Sequence, residues 1–357
     1  MIFNQPIDLS MKNFLGLAAA MLSSSLLLST PLSAQEKVLN LYSARHYNTD
    51  EALYANFTRQ TGIKMNRIEL GDEALLERLR NEGRNSPADV ILLVDAARLW
   101  KAQIDGLFQP ISSRVLESRI PESMRSRNEG KGSEWFGFSS RARVIFYDKA
   151  KIRPEEVDTY EELADIKNKG KVCTRSGTHP YMLSLIGSMV ERLGSKAAED
   201  WAKGVVANFA RPPRGGDTDQ LRAVGAGECQ IAIGNTYYWV RLLRSSDAKD
   251  RELVSRIGMV WPNQKSGGTH VNISGGGVAR NAPNRDAAVK FLEYLASDEA
   301  QAYFANGNNE WPAVRTAVAR NPELESLGTF TAEKISVQQI ARNTVEAQKI
   351  LDRVGWK

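Results

Sequence analysis

Three times in this sequence an apolar, strand-like run gives way to a few small or polar residues and then to a tyrosine at the head of a helical pattern. Leu39-Asn40-Leu41-Tyr42-Ser43-Ala44-Arg45 leads to His46-Tyr47, with Asn48, Thr49 and Asp50 placed to cap a helix. Lys171-Val172-Cys173-Thr174-Arg175 leads through Ser176-Gly177-Thr178-His179-Pro180 to Tyr181. Cys229-Gln230-Ile231-Ala232-Ile233 leads through Gly234-Asn235-Thr236 to the adjacent pair Tyr237-Tyr238. Strands that run into helices, repeated along a chain, constrain it to parallel sheet covered by helices. Ligands bind at the carboxyl ends of such strands, and the helix N-termini found there carry positive partial charge that favours an anion such as phenolate.

The rest of the chain keeps this alternation. Strand-like runs at 38–44, 63–70, 88–94, 143–148, 171–175, 229–233 and 258–261 are separated by helical spacing at 50–60, 75–82, 99–104, 160–167, 181–192, 196–206, 219–225 and from 237 onward. The polar, glycine-rich stretch 128–133 reads as a link between two lobes. The chain is expected to cross back near Ser266-Gly267-Gly268 and Ile273-Ser274-Gly275-Gly276-Gly277. Helices at 284–297 and 299–306 then return to the first lobe, and those across 331–352 pack on the second. The expected division is 35–132 plus 267–311 for an N-terminal lobe and 133–266 plus 312–357 for a C-terminal lobe. A chain of 357 residues is long enough for two such cores. Gly275-Gly276-Gly277 lacks the Gly-Lys-Ser/Thr ending of a phosphate-binding loop and reads as a strand or hinge where backbones approach closely.

Met11-Lys12-Asn13, the apolar run 14–28 and Ser29-Thr30-Pro31-Leu32-Ser33-Ala34 read as a Sec-type signal peptide, residues 1–34, with Met11 as an alternative start. The run is short for a membrane span, and no twin arginine is present. A periplasmic protein without stable membrane insertion is expected. Removing 1–34 takes away Asp8 and Lys12, so the net charge stays at +5. That balance suits an anionic partner. Its lysines and arginines are spread out, with no basic run or aromatic-basic repeat, which argues against nucleic acid. Two cysteines in an exported chain, Cys173 and Cys229, invite a disulfide; two buried thiols are the alternative. No Cys-x-x-Cys or spaced histidine pair supports zinc.

Phenols suggest the chemistry. Free tyrosine titrates near ~10, and a bound cation displaces its proton. The phenolate is a hard, anionic oxygen suited to a small, highly charged cation, with Fe(III) preferred. Four phenolates exceed three positive charges, and Arg241, three and four residues beyond the tyrosine pair on one helix face, can balance the excess. With Fe(II), one or more phenols stay protonated. His46 is either a fifth ligand or a group that orients Tyr47. His179 reads as a surface or capping residue, His270 as a loop histidine, and Arg214-Gly215-Gly216-Asp217 as a loop with a helix cap. Arg141 and Arg143 share a strand face and either line a cleft or form surface ion pairs. No nucleophile with a nearby base stands out, so the chain is not expected to be an enzyme.

Leu41-Tyr42-Ser43-Ala44-Arg45-His46-Tyr47, Phe136-Gly137-Phe138-Ser139-Ser140-Arg141-Ala142-Arg143 and Gly234-Asn235-Thr236-Tyr237-Tyr238 resemble periplasmic iron-binding proteins of the FutA type. These belong to the ferric-binding, transferrin-like class of ABC transporter solute-binding proteins, and the resemblance spans 37–357. It implies an α/β, two-lobed periplasmic-binding-protein fold of class II, with the ligand in the interlobe cleft. It implies metal ligands at His46, Tyr47, Tyr181, Tyr237 and Tyr238, with Arg241 as a compensating charge. It also implies a monomer that captures iron and delivers it to an inner-membrane ABC permease. Some relatives use a glutamate and a bound anion; no matching glutamate is evident, which favours a tyrosine-rich site without a synergistic anion. Competing readings are a solute-binding protein for an organic anion or polyamine, and a periplasmic enzyme on the same fold using tyrosines as general acids.

Overall fold

In a computed structural model, residues 37–45, 50–127, 130–318 and 320–357 are described. The expected signal segment, and the expected ligands His46 and Tyr47, lie outside them. β1 (Val38–Ser43) is buried from Leu41 onward, and β3 (Val90–Val94) is an apolar run buried along its whole length, as parallel sheets bury strands on both faces. β1 pairs in parallel with both β3 and β2 (Lys64–Glu69). β3 then meets β8 (Val271–Val278) in antiparallel register, and β8 meets the first half of β4 (Phe136–Asp148) from Phe136 to Ala142.

At Arg143 the long strand β4 changes partners. Its second half pairs with β6 (Ile231–Asn235) and β7 (Ile257–Val260), and β6 pairs in parallel with β5 (Val172–Cys173). β9 (Trp311–Pro312) pairs with β4 at Ser139 and Ser140. Among the described residues the strand order is β2-β1-β3-β8-β4-β6-β5, so β4 joins a β1–β3 side to a β5–β7 side.

Helices cover both sides. Leu53 and Phe57 of Asp50–Thr61 pack with Phe291 and Phe304 of the helices Arg285–Leu295 and Asp298–Asn308 on the β1–β3 side. On the other side, Leu185 and Met189 of Pro180–Leu193 pack with Trp201 of Ser195–Ala207 and Ile350 of Thr344–Val354. Core membership differs from the expected lobe boundaries. Trp135, Phe136 and Phe138 pack on the β1–β3 side, as do Ala313 and Val314. Val337 and Ala341 join Leu99 and Ala102 there, whereas Ala347 and Leu351 join the other core.

The helix expected at 160–167 is two short 3-10 turns, Glu161–Ala164 and Ile166–Asn168. Asp165 between them has extended backbone (φ −63°, ψ 137°), which no helix can carry through. The glycine triplet lies within β8, where neighbouring backbones leave no room for a side chain. A Cβ on Gly275, Gly276 or Gly277 would stand 2.4, 2.4 or 2.0 Å from the carbonyl oxygen of Phe136, Ile91 or Glu134. Cys173 and Cys229, at the start of the β5–β6 pairing, form a disulfide with Cα atoms 5.9 Å apart. No described helix is long and apolar enough to cross a membrane.

Candidate metal centre

The Pro180–Leu193 helix begins with proline at its first position, where a missing N–H costs nothing. His179 caps it: the Tyr181 amide donates to His179 Nδ1 at 3.2 Å. Burial first, and then the Arg175 guanidinium, hold this imidazole far below its usual value, at about 3. The ring is therefore neutral, as its accepting Nδ1 requires. It also stands edge-on to the Tyr181 ring, with centroids 4.4 Å apart. The second helix, Thr236–Leu243, starts directly from β6 and places Tyr237 and Tyr238 in its first turn. Their rings lie 4.1 Å apart between centroids, inclined by 32°.

These two helix starts converge. Tyr181 Oη and Tyr237 Oη are 2.9 Å apart, with both residues buried and Tyr238 half-buried beside them. The contact is a hydrogen bond between the two hydroxyls, and 2.9 Å is also about the spacing of two oxygens held at right angles by one ion about 2.0–2.1 Å away. The described residues contain no group of three or more His, Cys, Asp or Glu side chains able to hold a metal, so among them the phenols are the donors that cluster.

Positive charge surrounds the phenols. The guanidinium carbons of Arg175, Arg141 and Arg143 stand 5.0, 5.4 and 5.8 Å from the Tyr181 ring centroid, and that of Arg241 stands 5.4 Å from the Tyr238 ring. Nearby cations favour the phenolate form. Asp217 anchors two of these arginines. Arg143 Nη1 donates to Asp217 Oδ2 at 3.0 Å and to Asn235 Oδ1 at 2.9 Å, and Arg175 Nη1 donates to Asp217 Oδ1 at 3.2 Å. Burial alone would lower the Arg175 guanidinium. Asp217, Tyr238, Tyr181 and Tyr237 together outweigh it, and the group titrates above its usual value.

Neither Arg141 nor Arg143 forms a surface ion pair. Both are buried, Arg143 against Asp217 and Arg141 beside Ser274 (2.9 Å) and Glu310 (3.7 Å). Asp217 starts the helix Asp217–Gly225, yet its carboxylate is a buried counter-ion rather than a cap. Sequence reasoning missed this role and that of Arg175. Two arginines alternating on an apolar strand face were the available signal, since buried cations require acids from elsewhere. His270, expected in an ordinary loop, is buried against Glu333, with Nδ1 and Oε1 2.5 Å apart.

β1 ends at Ser43, and Arg45 lies two residues beyond it. Arg45 Nε donates to Asp50 Oδ2 at 2.8 Å, and Asn308 Nδ2 donates to Asp50 Oδ1 at 3.0 Å. The buried Arg45–Asp50 pair thus ties together the two residues that bracket 46–49.

The family of bacterial extracellular solute-binding proteins matches residues 52–332 of this chain. Iron uptake protein A1 of Synechocystis sp. is 50% identical, over 92% of this chain and 89% of its own. The major ferric iron-binding protein of Neisseria meningitidis is 28% identical, over 95% of this chain and 98% of its own. Among solved structures, Trichodesmium (IdiA) (FutA) in complex with iron and citrate is similar with a TM-score of 0.84 at 52% identity, covering 90% of this chain and 100% of that one. This chain, with its mixed α/β sheet and its paired helix-start tyrosines, belongs to the bacterial extracellular solute-binding proteins and is of the FutA type.

Proposed function

We propose that this protein captures iron, as Fe(III), in the periplasm and hands it to an inner-membrane ABC permease. The observation that carries this reading is the 2.9 Å contact between the Tyr181 and Tyr237 oxygens at two helix N-termini under an arginine cluster. Tyr181, Tyr237 and Tyr238 supply oxygen ligands from the C-terminal lobe. Tyr47 supplies another from the N-terminal lobe, with His46 as a fifth ligand or as the group that orients Tyr47. Metal bound between lobes closes them as a hinge. Arg241, over Tyr238, offsets the phenolate charge. In the reduced state one or more of the phenols keeps its proton. The protein acts as a monomeric carrier, not an enzyme, reaching the periplasm by the signal peptide 1–34.

Titration of purified protein with ferric and ferrous salts tests this. Ferric iron on tyrosinate produces a visible charge-transfer band, and Tyr237→Phe or Tyr238→Phe lowers the affinity roughly a hundredfold or more without unfolding the protein, since even outer-shell losses cost 10–100-fold. A protein that stays colourless, or wild-type affinity in both variants, sinks the assignment.

A cavity of about 560 Å³ beside Tyr181, lined by Arg175, Ser176, Thr178 and His179 and by Arg98 paired with Glu73, favours a second reading, in which an organic anion accompanies the metal. Citrate accompanies iron in the Trichodesmium complex. If that reading holds, adding citrate to the ferric titration shifts the visible band.

A further inference from the structure

The Pro180–Leu193 helix places Tyr181, Ser184 and Ser188 on one face, three and then four residues apart. His270, Asn272 and Ser274 occupy alternate positions along β8 and the residue before it, and so share one strand face. Three buried charged side chains from other segments connect these rows, rung by rung. Arg141 donates to Ser274 at 2.9 Å and stands over the Tyr181 ring. Asp95 accepts the Ser184 hydroxyl at 2.5 Å and the Asn272 amide at 2.8 Å. Glu333 accepts the Ser188 hydroxyl and meets His270 Nδ1. All nine residues are buried.

The middle rung differs in origin. Asp95 follows β3, on the β1–β3 side, and caps the helix Ala96–Ile104 by accepting the Ala97 amide at 2.7 Å. Its backbone sits at φ 141°, ψ 146°, a region that ordinarily belongs to glycine. Such strain persists only where surrounding contacts over-determine it, and here they fix the carboxylate between a helix start, a strand amide and a serine one turn beyond Tyr181. The Glu333 rung, by contrast, stays with the Tyr181 helix and the segment leading into β8.

We propose that the Asp95–Ser184 hydrogen bond is a latch between the lobes, which positions the Tyr181 helix and slows opening of the cleft. The proposal rests on the iron-binding reading above. Ser184 and Asp95 are positioning residues that touch no metal. Their contribution is expressed in the rate of release, while the ligand set stays the same.

The test uses full-length iron-loaded protein, with release to excess chelator followed by decay of the visible band. Ser184→Ala leaves Asp95 its Ala97 and Asn272 contacts. It releases iron about tenfold faster than wild type, the value of one hydrogen bond to a charged group at 1.4 kcal/mol per tenfold, with the band unmoved. Ser188→Ala removes an equivalent buried hydroxyl from the neighbouring rung and stays within about twofold of wild type, and Ser184→Thr restores slow release. Wild-type release from Ser184→Ala overturns the latch, as does equal acceleration in Ser188→Ala. Should the wild type take up no iron, the iron reading fails by itself, and small-angle scattering of metal-free protein still decides the latch. A larger radius of gyration for Ser184→Ala than for wild type supports it; equal radii overturn it.

Discussion

Asp217 and Asp95 are both fully buried carboxylates near the Tyr181 helix, and their proton equilibria move in opposite directions. For Asp217, burial pushes the carboxyl up, and Arg143 and Arg175, with the Asn235 amide, more than reverse it, so it titrates below the usual carboxylate value. For Asp95, burial again pushes up, and this time it wins over more distant Arg141 and the hydrogen bonds from Ser184 and Ala97. Two guanidiniums in direct contact replace the hydration a buried charge has lost; neutral donors with a remote cation do not. One carboxylate is therefore scaffold, holding arginines around the phenols, and the other is a junction that two moving parts can share.

The contrast can be broken at several points. Asp217→Ala leaves the buried Arg143 and the half-buried Arg175 without their counter-ion and is expected to lower stability by about 3–5 kcal/mol in denaturant unfolding. An unchanged midpoint would remove Asp217 from the scaffold. Replacing both Cys173 and Cys229 by serine opens the loop that holds Arg175 and Asp217, and lowers stability by about 2–4 kcal/mol, read as a drop in melting temperature that reductant reproduces in the wild type. His179→Ala removes the helix cap above Tyr181 at a cost of about 1 kcal/mol, measured the same way.

The smallest effect is a pair of opposite pH slopes. The folded-state value of Asp217 is depressed, so the stability it contributes is present above about pH 4 and is lost as pH falls through the folded value. The folded-state value of Asp95 is raised, so its contribution is present below about pH 4 and is lost as pH rises through the folded value. Against wild type, the deficit of Asp217→Asn should shrink on acidification, whereas that of Asp95→Asn should shrink as pH rises towards neutral. Parallel slopes in melting experiments would erase the distinction drawn here.

Much of this was legible in the sequence because it is local. The strand-to-helix junctions at Tyr181 and Tyr237 announce themselves through apolar runs, small residues and tyrosine. What stayed hidden depends on partners far along the chain. The strand-like run at 143–148 covers only the second half of β4; in the first half Ser139 donates to Glu310 and Arg141 to Ser274, each more than 130 residues away. Asp217 after two glycines has the local signature of a cap, and only Arg143 and Arg175 make it a counter-ion. The helical spacing of Leu163 and Ile166 failed for a different reason: Leu163 is buried, Ile166 is 76% exposed, and no single apolar face forms.

The disulfide has a consequence for protease resistance. Arg214 is well exposed and lies inside the ring closed by Cys173 and Cys229. A tryptic cut after it severs the chain yet leaves the fragments covalently joined, with Tyr181 on one and the Tyr237–Tyr238 pair on the other. Nicked protein would then run as a single band until a thiol is added, and the tyrosine cluster could outlive the continuity of its own backbone.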